Sequence, residues 1–181
     1  YIAHESITPV YIASVTMYVK AEKTTEADFY KAIAPADIIG NHSLLLTSNI
    51  VLSRVVEALK LYELPDDYEE KYSTPMKKFF HGKNNKNKKI SNKSDNSIGY
   101  GGAKGMLLSE ITVKPSGGSD MFIVQVEDFN YDQAVRIANS VSRSYVIFDL
   151  EQQIEELKLK YGEKNSTVLQ LLNYIEEYSK N

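Results

Sequence analysis

The sequence predicts an α+β fold: a small mixed β-sheet packed against helices, with one long helix projecting from the base domain. Three observations lead there. Residues 10–20, VYIASVTMYVK, alternate Tyr11, Ala13, Val15, Met17 and Val19 with Ile12, Ser14, Thr16, Tyr18 and Lys20, which is the period of a half-buried strand. Two further strand-like runs, 106–114 and 121–128, flank the turn-forming residues PSGGSD and should pair as an antiparallel hairpin. A helical run then extends over 130–161 without Pro or Gly. The chain accordingly divides into an α+β base, residues 1–130, and a helical part, residues 131–181. The helical part holds the long helix and a short return helix, and the first half of the long helix packs on the base.

Taken in order, the first strand follows Pro9, a residue suited to a strand start. Residues 21–34 are polar and mixed, and read as a loop with room for one short helix. Pro35 opens a helical segment, 36–46, with apolar spacing at Ile38, Ile39, Leu44 and Leu45 that Gly40 weakens. Thr47 or Ser48 is placed to cap a second helix, 49–61. Its stripe is Val51, Leu52, Val55, Val56 and Leu59, and Pro65 stops it. Residues 66–80 are acidic, then aromatic, with space for one short helix.

Residues 82–105, GKNNKNKKISNKSDNSIGYGGAKG, are nearly free of large apolar side chains. Such a segment buries too little surface to offset its ordering entropy, so the expectation is a mobile loop. In the strands beyond it, Ile111 and Val113 alternate with Thr112 and Lys114. Phe122, Val124 and Val126 alternate with Ile123, Gln125 and Glu127.

The long helix opens on Asn130 with Gln133 three residues on, a capping-box pattern. Ala134, Ile137, Val141, Tyr145 and Phe148 line one face. Ile147, Leu150, Ile154, Leu157 and Tyr161 continue in a shifted phase, and Gly162 ends the run. At 1.5 Å per residue the helix should span roughly 45–50 Å, more than a small core covers, so its second half should project. Ser166 then caps an amphipathic return helix with Val168, Leu171, Leu172 and Ile175 on one side, forming an αα-hairpin.

Composition excludes several function classes. A net charge of −3 does not fit a general nucleic-acid binder, which needs a basic face. With no Cys there is neither a disulfide framework nor thiolate chemistry. No apolar run reaches the length of about eighteen residues that a membrane helix needs. The chain begins at Tyr1 without a signal sequence, and the expectation is an excerpt of a longer protein whose targeting or membrane segments could lie outside it.

Catalytic chemistry is also missing. The three histidines, His4, His42 and His81, lack any metal-ligand spacing, so no metal or other cofactor is expected. Asp66, Asp67, Glu69 and Glu70 supply carboxylates of the type used in glycoside cleavage, but adjacent acids after a Pro usually face solvent. GYGGAKG at 99–105 is superficially like a phosphate cradle, yet lacks the Lys-Ser/Thr pair and the strand-to-helix setting, and reads as a tether. No serine stands in a nucleophile-elbow context. The expectation is a protein that is not an enzyme. One cluster, Lys83, Lys86, Lys88, Lys89 and Lys93, has two readings: a solvated loop, or a contact for an anionic polymer or lipid phosphate.

The order of the motifs resembles a known family. Pro9-Val10-Tyr11-Ile12-Ala13 opens a strand, and Ser48 precedes a helix ending in Leu59-Lys60-Leu61. Ile111-Thr112-Val113 and Val124-Gln125-Val126-Glu127-Asp128 close two strands with an acidic exit. The long helix carries Ala-x-x-Ile-Ala-Asn from Ala134 to Asn139, followed by Tyr145. This is similar to the periplasmic domain of the polysaccharide co-polymerases, the Wzz-type chain-length determinants and their exopolysaccharide-export relatives. The resemblance covers nearly the whole chain apart from the Lys-rich insert. The tail YGEKNSTVLQLLNYI looks like a segment of larger members, with Asn165-Ser166 where they carry His-Pro. The usual Asp-Pro before the long helix is Asn130-Tyr131 here.

The resemblance implies a non-catalytic periplasmic domain of an inner-membrane protein. It would be held by flanking membrane spans that this chain lacks, and would form a homo-oligomeric ring. It would act with a polysaccharide polymerase and the growing glycan to set the length or export of O-antigen, capsule or exopolysaccharide, with no nucleic acid involved. Two alternatives remain open: the ectodomain of a polysaccharide-associated tyrosine kinase, and a coiled-coil adaptor unrelated to glycans.

Overall fold

The computed structural model describes residues 9–18, 35–68, 71, 97–116 and 121–180. Its sheet has three strands: β1 (Tyr11–Tyr18), β2 (Ile111–Pro115) and β3 (Met121–Asp128). They lie in the order β1-β3-β2, and both pairings are antiparallel, so the sheet is not mixed. The β2–β3 hairpin is the one the turn residues called for. Register follows the alternation. Met17, Val15 and Ala13 stand opposite Phe122, Val124 and Val126 on the face that meets the helices. Phe122, Val124 and Val126 are essentially inaccessible to solvent, whereas Ile12 and Tyr18, on the other face, are open.

Helix α1 (Pro35–Leu46) meets the core through Leu46, while Leu44 and Leu45, expected to face inward, are exposed. Helix α2 (Asn49–Leu59) is capped by the Ser48 hydroxyl, which accepts from the Val51 amide. Val51, Leu52, Val55 and Val56 are buried along it as the stripe required. The helix ends two residues before the expected Leu61, and Pro65 is not what stops it. Lys60 adopts φ 52°, in the left-handed region. That reversal swings Leu61, at the head of a short 3-10 turn, into the core at 1% exposure.

The largest correction concerns residues 97–110. The segment expected as the end of a loop and the start of a strand is a helix, α3 (Gly99–Glu110), and β2 begins only at Ile111. Ala103 and Leu107, four apart, are fully buried in the same core as α2 and the sheet. Small residues explain both the error and the fact. Glycines lower intrinsic helix propensity, so the local signal was loop. Yet a helix face built of small side chains is free to lie close against its neighbours. The segment is held at its start by an Ile98 amide bond to the Leu64 carbonyl at 2.9 Å and a bridge between Pro65 and Ser97. Residues 82–96, the short-helix expectation at 21–34 and most of the one at 66–80, all but 66–68 and 71, lie outside the described residues.

Helix α4 (Tyr131–Tyr161) is the predicted long helix, about 46 Å from 31 residues at 1.5 Å each. Its amino half packs on β1 and β3 through Ala134, Ile137, Ala138, Val141, Tyr145 and Phe148, all buried. The cap is half of a capping box. Asn130 Oδ1 accepts from the Gln133 amide at 3.1 Å, but the Asn130 amide donates to Asp128 Oδ1 at 2.7 Å rather than to Gln133. At the far end Gly162 takes φ 82°, open to glycine without strain, and its amide returns to the Lys158 carbonyl. Helix α5 (Ser166–Lys180) folds back on α4, and its cap is Asn165, whose Oδ1 accepts from the Thr167 amide, rather than Ser166. Past Glu151, which pairs with Arg54 of α2, burial thins to Ile154 and, from α5, Val168. Leu159 at 89% exposure marks how open the tip of the hairpin is.

Candidate functional site

The lysines singled out in the sequence, Lys83, Lys86, Lys88, Lys89 and Lys93, lie outside the described residues, as do His4, His81, Glu69 and Glu70. Asp66 and Asp67 are exposed in the turn after Pro65. Among the described residues no group of acids and histidines could hold a metal ion, and no helix is long and apolar enough to cross a membrane. The GYGGAKG stretch, expected as a tether, is the first half of α3. Tyr100 stacks near Tyr62 with centroids 6.3 Å apart, and Lys104 lies over the Tyr100 ring while donating to Asn49 Oδ1 at 2.8 Å. These contacts dock α3 on its neighbours, so the stretch is not a tether.

Two polar groups, half-buried His42 and buried Asp128, join elements. His42 of α1 lies parallel to Phe122 of β3, 5.7 Å between centroids, and its Nδ1 is hydrogen-bonded to the Tyr145 hydroxyl of α4. Burial lowers the His42 pKa below its usual 6.5, with Asp149 pulling the other way. Burial also pushes the Tyr145 phenol upward, and Asp149 adds to it. Both shifts favour the neutral forms, so the bond joins a protonated phenol to a neutral imidazole. At the exit of β3, Asp128 is 2% exposed. It accepts from the Tyr68 hydroxyl at 2.8 Å and from the Asn130 amide, fixing the angle at which the chain enters α4. Burial raises its pKa, while the bonds from Asn130, Tyr68 and the Phe129 backbone lower it. Both groups join elements of the fold.

Among the described residues there is also a cleft of about 670 Å³ where the edge of β1 not paired with β3 faces α4. Residues 15–18 form one wall. Asn139, Ser142, Arg143 and Val146, at helical spacings of three and four, form the other, and Tyr178 of α5 closes one side. Arg143 is exposed and forms no ion pair among the described residues. Sequence reasoning missed this site. The polar stripe on α4 opposite its core face was readable, but nothing local placed it beside a strand edge or brought Tyr178 back from the hairpin.

Fold and cleft together define a class: an antiparallel three-stranded α+β domain carrying a long αα-hairpin, with an open polar cleft at its sheet edge. No protein-family model, curated protein or solved structure matches the chain.

Proposed function

We propose that this chain is the periplasmic domain of an inner-membrane polysaccharide co-polymerase, a non-catalytic regulator of the length or export of a surface polysaccharide. The observation that carries the reading is the order of elements. A strand, two helices, a strand hairpin and then a single long helix with a return helix come in the same order as the motifs of the resemblance, with α3, which the resemblance did not call for, inserted before the hairpin. The division of labour along α4 supports it further. The amino half is consumed by the domain's own sheet, while the distal hairpin leaves Leu159, Leu169 and Leu172 exposed. Apolar surface at the tip of a rod is available to neighbouring copies, and heterologous contacts repeated about an axis close into a ring. Tethering in a bilayer raises the effective concentration of neighbours, so contacts that are weak in solution suffice.

Deleting the encoding gene tests the reading. The length distribution of the surface polysaccharide shifts while sugar polymerisation continues, and the wild-type gene restores it. A parental distribution in a strain without a close paralogue contradicts the proposal.

A further inference from the structure

The cleft at the β1 edge has three kinds of group converging on one space. The first is the strand edge itself. Among the described residues β1 pairs only with β3, so alternate N–H and C=O groups on its other side have no ladder partner there and can bond a ligand. The second is aromatic: Tyr18 and Tyr178, 66% and 46% exposed, both line the cleft, and aromatic rings offer an apolar surface to a ligand. The third is Arg143, a planar five-donor cation with Asn139 one turn away on the same stripe.

A pyranose ring carries equatorial hydroxyls, an apolar C–H face and, in the uronic acids, a carboxylate. These match the strand edge, the tyrosines and Arg143 in turn. A volume of about 670 Å³ falls in the range of small-molecule sites rather than of extended interfaces. The wall of β1 it exposes is only residues 15–18, short of the five or six residues of a typical added strand. An extended peptide is therefore the poorer occupant.

We propose that this cleft is a saccharide site that selects carboxylate-bearing sugar units of one or two rings. The inference rests on the polysaccharide reading for the class of ligand, and on Arg143 for its charge. Arg143 holds the carboxylate in a bidentate pair, Asn139 and the β1 edge take hydroxyls, and Tyr178 stacks on the ring.

The test is titration calorimetry on the whole chain with three probes: a mannuronic acid tetrasaccharide, neutral mannotetraose and tetraglutamate. The uronate binds saturably, and mannotetraose binds at least about tenfold more weakly because the charge-assisted bonds are lost. Arg143→Gln removes that preference. Tyr178→Ala weakens both saccharides alike. Both side chains are exposed, and circular dichroism confirms that the variants fold. The proposal is overturned if the uronate does not bind, if tetraglutamate binds as well as the uronate, or if Arg143→Gln leaves the affinity unchanged. The deletion phenotype is independent of these titrations. An inert cleft with a shifted length distribution sinks only the cleft.

Discussion

Helix α3 provides the sharpest test of the fold, because a tether and a docked helix respond oppositely to small substitutions. Gly105 lies in the helix interior, is exposed, and has nothing within 4 Å of a Cβ built onto it. Gly105→Ala therefore adds a methyl group at no steric cost and removes backbone freedom from the unfolded chain. The gain is about 0.5–1 kcal/mol. Ala103, two residues earlier, is fully buried against the core. Ala103→Leu forces three extra carbons into that space and costs about 1–3 kcal/mol through overpacking. For a domain of this size each kcal/mol moves Tm by about 2–4 °C, so the variants separate by roughly 3–16 °C. Urea denaturation followed by far-ultraviolet circular dichroism reads both, alongside a thermal scan. In a solvated tether both substitutions are silent. If both fall within about 0.3 kcal/mol of wild type, the docking of α3 is refuted.

The helix–sheet core and the half-buried His42 imidazole make further predictions. Val141 is fully inaccessible beneath the sheet, so Val141→Asp leaves an uncompensated charge there, costing about 3–5 kcal/mol or more of a typical total of about 5–15. A Val141→Asp chain with an unchanged melting temperature would falsify the placement of that face. His42 is held neutral, with a folded-state pKa below the unfolded value near 6.5. Its contribution is complete above the unfolded pKa and is lost as pH falls through the folded one. The stability of wild type relative to His42→Gln should therefore decline between about pH 7.5 and about pH 5. Groups common to both chains, including His4, His81 and Asp149, largely cancel in this difference. Parallel pH profiles contradict the assignment.

Elements with strong periodicity were legible in the sequence. The stripe from Ala134 to Phe148 and the alternation of Phe122, Val124 and Val126 each require one face to be buried, and each face is. Burial of an amphipathic surface dominates local preference, so such patterns survive into the fold. What was not legible depended on partners distant in sequence. Ala103 gives no periodic signal, and it is buried because α2 and the 3-10 turn lie beside it. The end of α2 was misplaced because a left-handed Lys60 is set by where Leu61 must go, not by lysine's own preference. Asn130 was readable as a cap, but its amide was assigned to Gln133 when Asp128, brought close by the end of β3, takes it. The cleft failed for the same reason, since Tyr178 reaches β1 only through the whole length of the hairpin.

The central claim is that the distal hairpin of an anchored domain sets polysaccharide length, and Leu157→Pro addresses it most directly. Leu157 lies half-buried in the second half of α4, beyond the residues that pack on the sheet. Proline there removes a helix hydrogen bond and kinks the rod at a cost of about 3 kcal/mol or more, while the base core from Ala134 to Phe148 is left in place. The measurement is a gel of surface polysaccharide from a deletion strain complemented with wild type or with Leu157→Pro, at equal protein level. The account predicts that wild type restores the parental length distribution and that the proline variant does not, with polymerisation intact in both. A parental distribution from the kinked variant would contradict it.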